Sequence, residues 1–272
     1  MPHRIPRFMT ARVLGNAAHG VFHRIEASTP SLAPFIPGQF AMVSAPHGDD
    51  PLLPRPLAIV RSEGDQGEGI VEFVYKVVGR GTQLLSRLRR DDLLSITLPL
   101  GNGFNLDGAG KIWWLVGGGV GVSTMIPAAA ALAKEKADFR FFLGARSGDQ
   151  HPPREWIPGW DIPEIVCSCT DDGGFGFCGT VGAAVREQYN LLLPSDRERL
   201  TILACGPRGM LKDIAETALS LGIPAQASLE NYMACGFGVC FGCVMEIKTG
   251  EGAEYLRVCR EGPVFDVGAV VW

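Results

Sequence analysis

Four cysteines near the carboxyl end of the chain have the spacing of metal ligands. Cys235 is followed by four residues and Cys240, then by two residues and Cys243, and Cys259 lies fifteen residues further on. The first three have the plant-type spacing of thiolates that hold a [2Fe–2S] cluster, in which a fourth thiolate comes from later in the chain. We therefore predict that these four cysteines ligate a [2Fe–2S] cluster.

Glycines lie between the first three of these cysteines, at Gly236, Gly238 and Gly242. They would let backbone N–H groups turn toward the anionic cluster without side-chain clashes. Two alternatives stay open: four thiols buried as small hydrophobic side chains, and a tetrahedral zinc site with four thiolates. Zinc ribbons usually combine two knuckles with two residues between their cysteines, and this chain has one such pair. The other cysteines, Cys167, Cys169, Cys178 and Cys205, lack the spacing, and we interpret the first three as buried or loop thiols.

A second group of residues, in the first hundred positions, has the side chains and turns that hold a pyrophosphate. Arg55 opens a predicted strand, and Gly81 and Thr82 form a turn that enters a short predicted helix over residues 83–88. The N-terminus of that helix and the Thr82 hydroxyl would donate hydrogen bonds to phosphates, and Arg55 would supply the countercharge. The alternative is an ordinary turn with threonine as the helix N-cap. The candidate residues are Arg55, Pro56, Leu57, Ala58, Val74, Tyr75, Lys76, Gly81 and Thr82.

Two loops in the middle of the chain have the features of a dinucleotide site. The glycine-rich run over residues 116–122 connects a buried strand to a helix, where bare backbone can approach a phosphate. It departs from G-x-G-x-x-G because Val122 replaces the third glycine and no acidic residue closes the next strand. The segment 205–207 also lies where a strand ends and a helix begins; the alternative for both loops is helix packing and helix initiation. The candidate residues are Gly117, Gly119, Gly121, Cys205, Gly206 and Pro207.

The elements that must position these residues change in type along the chain. Short apolar segments separated by turns predict an antiparallel β-barrel with strands over 12–14, 21–27, 40–45, 57–61, 70–77 and 93–98. Alternating strands and helices then predict a parallel sheet covered by helices, with strands over 112–116, 139–143, 164–167 and 201–204 and helices over 123–136, 181–189 and 208–221. The fold class is therefore multi-domain β and α/β. We expect a barrel over 1–103, an α/β domain over 104–224 and a cluster module over 225–272.

Composition and charge exclude several classes of protein. The 272 residues carry a formal net charge of −4 and no Lys/Arg cluster, so nucleic acid is not an expected partner. Residues 1–14 lack the continuous apolar core of an export signal. The uncharged run over 112–133 is long enough to span a bilayer but contains four glycines and Pro127, so a membrane span is not expected. We therefore expect a cytoplasmic protein whose eight cysteines do not form a disulfide framework.

In their order along the chain, these pieces resemble the ferredoxin reductase superfamily, with a flavin barrel, a nicotinamide domain and an appended [2Fe–2S] module. The strings over 228–243 and 258–265 are similar to those of electron-transfer subunits of class 1B dihydroorotate dehydrogenase. The resemblance implies FAD in the barrel at 55–58, 74–76 and 81–82, cluster ligation by the four cysteines, and NAD as the third cofactor. The family usually has serine where this chain has Ala58, so a hydroxyl near the flavin is missing.

The resemblance also implies a role and a partner. A catalytic FMN flavoprotein subunit would oxidise dihydroorotate in pyrimidine biosynthesis, and electrons would pass through the cluster and FAD of this chain to NAD⁺, in a heterotetramer. No general acid or base is required here, so we nominate no catalytic residue. Cys205 would lie near the nicotinamide by family position, with packing as the alternative. Phe237 and Phe241 would either contact the partner or pack internally.

Two other classes of protein stay open. One is a related reductase subunit that serves ferredoxin:NADP or sulfide chemistry; Arg146, just after a parallel strand, could meet a 2′-phosphate and keeps NADP open. The other is a zinc-binding, non-enzymatic interaction protein with a reductase fold. The visible spectrum and the metal content of the purified protein separate these classes.

Overall fold

Six strands in the amino-terminal part of the chain form a closed antiparallel barrel. They are β1 (Arg7–His19), β2 (Phe22–Thr29), β3 (Phe40–Ser44), β4 (Arg55–Asp65), β5 (Glu68–Lys76) and β6 (Leu93–Leu100). Their order around the barrel is β1-β2-β5-β4-β3-β6, which confirms the predicted fold of this region. A short helix, α1 (Arg80–Arg87), follows β5 and begins three residues before the predicted helix. The computed structural model describes residues 6–31, 34–45, 53–65, 67–159, 162, 164–250 and 252–272.

The barrel closes because its strands turn alternate apolar side chains inward. Val13, Ile25 and Phe73 come from three different strands and are completely buried. Strand β1 is much longer than the predicted 12–14, because its exposed positions alternate with the buried ones and weaken the apolar pattern. The extent of β1 is therefore determined by its alternating inward-facing side chains and not by the length of a continuous apolar run.

A seven-stranded sheet with helices forms the second half of the chain. In chain order its elements are β7 (Ile112–Gly118), α2 (Val122–Lys134), β8 (Asp138–Ala145), β9 (Val166–Thr170), β10 (Phe177–Cys178), α3 (Val181–Leu191), α4 (Pro194–Arg197), β11 (Leu200–Cys205), α5 (Arg208–Leu221) and β12 (Ala225–Ser228). Three further strands follow, namely β13 (Val244–Thr249), β14 (Gly252–Arg257) and β15 (Val264–Asp266). The sheet order is β10-β9-β8-β7-β11-β12-β15, and every pair is parallel except β12 with β15. The predicted parallel sheet is confirmed.

The carboxyl-terminal segment is joined to the sheet at both of its ends. Strand β12 pairs in parallel with β11, and β15 returns to pair with β12 in the antiparallel direction. Between them, β13 and β14 form a separate two-stranded hairpin. The sheet therefore continues beyond residue 224, where we placed a domain boundary from the sequence, and that division of the chain stays a prediction.

The uncharged run over residues 112–133 is divided between β7, a glycine loop and α2. All seven residues of β7 are buried in the centre of the sheet, and the buried side of α2 packs on β7 and β4. Among the described residues, no helix has both the length and the hydropathy needed to cross a membrane. The apolar character of this run is explained by the sheet core.

Candidate functional site

The four predicted cluster ligands meet in one loop region, where they form two pairs. Cys235 and Cys240 lie close enough for their thiols to interact, and so do Cys243 and Cys259. The backbone N–H of Cys259 donates to Cys243 Sγ over 3.4 Å, and the N–H of Gly242 donates to Cys240 Sγ over 3.4 Å. Cys243 and Cys259 are buried, whereas Cys240 is exposed. The site therefore has an inner pair of thiols and an outer pair.

The loop that carries the first three ligands depends on its glycines. Gly236 and Gly238 have φ of +81° and +88°, in the left-handed region that favours glycine. A Cβ on Gly236 would overlap the side chain of Met42 in β3, and a Cβ on Gly238 would approach Arg260 Cδ to 2.8 Å. Gly236 therefore allows the loop to approach the barrel, and Gly238 allows it to approach the turn that carries Arg260.

Backbone N–H groups converge on the outer thiol pair. Burial raises the pKa of Cys235, but N–H donors of Cys240, Phe237 and Val239 outweigh it and lower the pKa to about 6. Burial and the neighbouring Cys243 raise the pKa of Cys259 to about 12 in the metal-free chain. Iron binding replaces the thiol protons, so both pairs can act as thiolate ligands. The converging N–H groups suit the negative charge of a four-thiolate cluster.

The donor set fits a [2Fe–2S] cluster. Such a centre takes four thiolates, and four cysteines lie in one loop region here. Cys259 interacts with Cys235 as well as with Cys243, so the two thiol pairs are neighbours. These four cysteines would therefore supply the ligands of the cluster.

Arg257 fixes the far side of the cluster loop. Its guanidinium donates to the carbonyl of Gly238 over 3.0 Å and pairs with Glu261, with Nε to Oε2 at 3.0 Å. Its Cζ also lies 4.9 Å from the centroid of the Phe241 ring. One side chain thus ties the glycine loop to β14 and to the turn that carries Cys259.

The predicted flavin residues line a cavity of about 370 Å³ between the barrel, the sheet edge and the cluster loop. Its wall includes Glu230 and Tyr232, just before the first cluster cysteine, and Thr124 from α2. The segment that leads into the predicted cluster loop therefore forms one wall of the predicted flavin cavity. The sequence-predicted residues along its wall are Arg55, Pro56, Leu57, Ala58, Val74, Tyr75, Lys76, Thr82 and Cys205.

Gly81 takes part in this cavity without lining it. A Cβ on Gly81 would overlap the guanidinium of Arg55, so the missing side chain leaves space for that cation. Arg55 Nη1 also donates to the carbonyl of Leu53 over 2.7 Å, which holds the side chain beside the first turn of α1. A cation next to a helix N-terminus suits a phosphate group.

The Thr82 hydroxyl does the work of a helix cap. It accepts from the N–H groups of Val78 and Gly79 over 3.0 and 3.2 Å, and it donates to the Gly79 carbonyl over 3.0 Å. The N-cap residue itself is Gly79, and Thr82 lies at the third helical position, so the sequence alternative of threonine as the N-cap places this residue three positions too early in the helix. The Thr82 hydroxyl is therefore already hydrogen-bonded within the turn, while the first N–H groups of α1 have no partner inside the helix.

Tyr75 and Lys76 differ in their place at the cavity. Tyr75 is buried, its hydroxyl donates to Asn16 Oδ1 over 3.3 Å, and burial raises its pKa to about 12. Burial and the charge of Arg146 lower the pKa of Lys76. Tyr75 is thus part of the barrel wall, whereas Lys76 and Arg146 bring two cations together beside the cleft.

The two predicted nicotinamide loops lie side by side at the carboxyl edge of the sheet. Gly117 in β7 and Cys205 in β11 are register partners, and a Cβ on Gly121 would overlap the Cys205 carbonyl. Gly119 has φ of +56° and open space where a Cβ would stand, so its bare backbone is accessible. Gly206 packs directly against Gly118. Parallel sheets bind nucleotides at this edge.

Cys205 is a buried, neutral thiol at the inner end of the cavity. Its Sγ donates to Thr124 Oγ1 over 3.4 Å, and burial together with the nearby Glu230 raises its pKa to about 12. Burial also raises the pKa of Glu230 itself. The sequence analysis did not nominate Glu230 as a site residue. Its position five residues before Cys235 could have indicated it, but its burial depends on the fold.

Comparisons with known proteins agree with this geometry. Residues 230–271 match the family model described as the iron–sulfur cluster binding domain of dihydroorotate dehydrogenase B. The chain is similar to the dihydroorotate dehydrogenase B (NAD(+)) electron transfer subunit of Desulforamulus reducens, with 32% identity over 91% of this chain and 92% of the relative. The subunit of the same name from Geobacillus thermodenitrificans is 37% identical over 86% of each chain.

Solved structures share the architecture. The structure of an NADH-dependent reduced ferredoxin-NADP oxidoreductase, described in work on flavin-based electron bifurcation, aligns with a TM-score of 0.80 and 26% identity. The alignment covers 96% of this chain and 90% of that one. The ferredoxin reductase of carbazole 1,9a-dioxygenase has the same fold, with a TM-score of 0.68 and 24% identity over 82% of this chain and 68% of that chain.

The closed barrel, the parallel sheet and the cysteine loop together define a flavin and iron–sulfur oxidoreductase subunit with the ferredoxin reductase fold. Curated relatives at 32% and 37% identity cover most of the chain. The chain belongs to the family of dihydroorotate dehydrogenase B (NAD(+)) electron transfer subunits, which confirms the resemblance found in the sequence.

Proposed function

We propose that this chain transfers electrons from a catalytic dihydroorotate dehydrogenase subunit to NAD⁺ in pyrimidine biosynthesis. The observation that carries the proposal is the cavity lined jointly by the barrel, the sheet edge and the residues that lead into the cysteine loop. The candidate sites for FAD, the nicotinamide and the [2Fe–2S] cluster are therefore adjacent around this one cavity. The partner would be the FMN-containing subunit, and the assembly a heterotetramer.

Each group of residues has a distinct part in this proposal. Residues 55–58, 74–76 and 81–82 hold FAD, and Cys235, Cys240, Cys243 and Cys259 ligate the [2Fe–2S] cluster. When bound, the cluster carries single electrons, and the flavin exchanges single electrons on one side and a hydride with NAD⁺ on the other. The protein orients these groups and keeps water out, and it needs no acid or base of its own. The nicotinamide nucleotide binds against Gly117, Gly119, Gly121, Cys205, Gly206 and Pro207.

The surface around Cys240 supports a partner on this side of the molecule. Tyr232, Phe237, Val239 and Phe241 are large apolar residues with exposed fractions of 93%, 50%, 69% and 59%. We call these four residues the apolar face. An exposed apolar cluster of this kind is typical of a protein–protein interface. Exposure of Phe237 and Phe241 favours partner contact over internal packing, the two roles that the sequence left open.

Two observations support a cytoplasmic location. All eight cysteines are unpaired, as is usual for proteins of reducing compartments. In the part of the chain with described coordinates, no helix qualifies as a membrane span. Electrons from dihydroorotate to NAD⁺ would then pass between cytoplasmic subunits.

Reconstitution with a catalytic subunit tests the proposal. The purified chain, with iron, sulfide and flavin counted per molecule, is mixed with an FMN-containing dihydroorotate dehydrogenase subunit and supplied with dihydroorotate and NAD⁺. We expect a stable complex that forms NADH. A Cys243→Ser variant should retain flavin but lose dihydroorotate-linked NAD⁺ reduction. A complex that makes orotate with artificial acceptors but never reduces NAD⁺ would overturn the proposal, as would a colourless protein that contains zinc.

The nicotinamide preference is tested in the same preparation. Arg146 follows β8 and lies near Lys76, so two cations are available to a 2′-phosphate. Our proposal is NAD, in agreement with the NAD(+) of the relatives' name. Faster dye reduction with NADPH than with NADH would instead favour the related NADP reductases.

A further inference from the structure

Outside the cofactor sites, β9 carries two cysteines whose sulfurs face each other. Cys167 and Cys169 are two positions apart on the strand, so both side chains project from the same face of the sheet. Their Sγ atoms are 4.0 Å apart, and Cys169 Sγ also donates to the Cys167 carbonyl over 3.8 Å. Neither thiol is part of the cluster, the flavin cleft or the nicotinamide loops.

A cation stands next to Cys167 on the same face. Phe142 of β8 is the register partner of Cys167, and Arg140 lies two residues before Phe142. The guanidinium donates to Gln188 of α3 over 2.6 Å, while its buried Nε has no hydrogen-bond partner among the described residues. A positive charge in this position stabilises a thiolate on Cys167.

The two thiols are electronically different. The hydrogen bond from Cys169 lowers the pKa of Cys167, and Arg140 acts in the same direction against burial and Glu187. The same hydrogen bond and burial raise the pKa of Cys169. Cys169 has no exposed surface, whereas Cys167 is half-buried. Cys167 is thus the partly accessible thiol that ionises more readily, and Cys169 is the protected thiol that ionises less readily.

We propose that Cys167 and Cys169 form a redox-active dithiol in which Cys167 reacts with a peroxide and Cys169 converts the product into an intrachain disulfide. In the first step the Cys167 thiolate breaks the O–O bond of hydrogen peroxide, takes one oxygen as sulfenic acid and releases hydroxide. In the second, the Cys169 sulfur attacks the Cys167 sulfur, an S–S bond replaces the S–O bond, and water leaves. Peroxide is reduced, and two thiols are oxidised by two electrons.

The strand geometry makes this disulfide strained and readily reduced. With a rise of about 3.3 Å per residue, the Cα atoms of positions two apart in a strand are about 6.6 Å apart, near the upper limit for a bridge. At Cys167, β9 has only β8 as a neighbour, because β10 pairs with Cys169 and Thr170 alone. The strand can therefore contract at its open edge to close the bond. Strained bridges are the labile, regulatory ones.

Contraction of β9 would reach the nucleotide edge of the sheet through Thr170. The Thr170 hydroxyl holds the next loop, donating to the Phe175 carbonyl over 2.8 Å and accepting from the Phe175 N–H over 3.0 Å. In the same loop, the N–H of Asp172 donates to the carbonyl of Arg146 over 3.1 Å. If the proposed nicotinamide function holds, on which this step rests, oxidation of the pair weakens nucleotide binding and slows NADH-driven dye reduction.

Thiol labelling of the complete, cofactor-loaded protein tests the proposal, with Cys178 as an internal control. Cys178 is exposed whereas Cys167 is half-buried, so accessibility alone predicts that Cys178 reacts first. A thiolate stabilised by Arg140 and by the neighbouring Cys169 should instead make Cys167 react severalfold faster at pH 7, despite its lower accessibility. Peptide mass spectrometry after brief iodoacetamide treatment measures both rates. Equal or faster labelling of Cys178 would overturn the assignment of Cys167 as the reactive thiol.

Peroxide treatment then tests the bridge in a Cys178→Ser background. We expect loss of two hydrogens between Cys167 and Cys169, reversal by dithiothreitol, and no such product in Cys167→Ser. Cys169→Ala should leave a sulfenic acid on Cys167 that dimedone traps, and this variant keeps the test valid if Cys167→Ser folds poorly. A pair that stays fully alkylatable at peroxide doses that oxidise Cys178 in the wild-type chain would refute the dithiol.

Coupling to the nucleotide edge has a separate readout. Reversible slowing of NADH-driven dye reduction in the Cys178→Ser protein, absent in Cys167→Ser, supports it. Bridge formation without any change in dye reduction would refute the coupling while leaving the dithiol intact. The mass measurement needs neither dihydroorotate nor a partner subunit, so failure of the proposed function and failure of the dithiol are distinguishable.

Discussion

Arg55 can lie beside the first turn of α1 because Gly81 has no side chain. The cation and the helix N-terminus then face the same end of the flavin cavity, where a phosphate would gain from both. Ala58 lines the same cavity with a methyl group in place of the family's serine hydroxyl. At the scale of single residues, we therefore expect flavin binding to rely on the charge of Arg55 and on backbone donors.

Substitution Gly81→Ala tests this dependence on space. The added Cβ displaces the Arg55 guanidinium, and loss of hydrogen bonds to a charged group, worth about 1.5–3 kcal/mol, should weaken FAD affinity roughly 10- to 100-fold. Alanine favours helix over glycine by about 1 kcal/mol, so the apoprotein should be no less stable. Flavin titration of the apoprotein and its Tm measure the two effects.

The matched control for that variant is Gly79→Ala, at the helix N-cap, where a Cβ would have open space. It should alter FAD affinity by less than about threefold, because Arg55 keeps its position. Equal losses of affinity in both variants would mean that disturbance of the turn, and not displacement of Arg55, controls flavin binding.

The sequence predicted those residues whose chemistry is local. The four cluster cysteines follow a spacing that metal geometry imposes, and the structure brings them together in one loop region. Glu230 was missed because a glutamate in a sequence carries no sign of burial; its place in the cavity results from barrel, sheet and loop packing together. Thr82 had two possible roles, and only the hydrogen bonds of the folded turn identify its hydroxyl as a cap.

At the scale of elements, Asn102 connects the barrel to the cluster segment. It follows β6, and its amide donates to the carbonyls of Glu261 and Val264, each over 2.9 Å. Its Oδ1 accepts from the N–H of Val264 over 2.9 Å. This one side chain fixes the turn between Cys259 and β15 against the end of the barrel.

We expect Asn102→Ala to loosen the cluster before it unfolds the chain. The substitution removes three hydrogen bonds at a partly exposed site and should lower the free energy of unfolding by about 1–2 kcal/mol. Iron loss to a chelator, followed by bleaching of the cluster absorbance, should then become several-fold faster. The control is Asn190→Ala, an exposed position of α3. Unchanged bleaching in Asn102→Ala would show that Arg257 and the loop glycines hold the cluster without the barrel.

The elements found from the sequence are those with long periodic patterns. Helices α2, α3 and α5 lie within a few residues of their predicted bounds, since apolar periodicity specifies them locally. Strands β13 and β14, with six residues each, were not predicted, and neither were β12 and β15, which have only four and three residues. The pairing of β12 with β15 joins positions about forty residues apart and depends on the cluster segment folding back. Such long-range pairing has no local signal in the chain.

At the scale of the whole molecule, the segment over residues 230–243 connects the flavin cavity to an exposed cluster thiol. Cys240 lies within the apolar face, while Tyr232, also in that face, lines the flavin cavity. An incoming electron would therefore enter at the surface and reach the cavity within one loop. A partner seated on the apolar face would cover the cluster and exclude water, which strengthens electrostatic interactions within the site.

Substitution Val239→Asp tests whether the apolar face docks the partner. Val239 is 69% exposed, so a polar side chain there does not disturb the core, but a carboxylate buried in an interface without a countercharge costs several kcal/mol. We expect at least tenfold weaker binding of the catalytic subunit, measured by biolayer interferometry, with NADH-driven dye reduction unchanged. Leu191→Asp, at the end of α3 and 72% exposed, is the matched control and should bind normally. If both variants bind as tightly as the wild type, the partner docks elsewhere and electrons must enter by another surface. If only Val239→Asp fails to bind, then the loop that holds the cluster also binds the catalytic subunit that delivers electrons to that cluster.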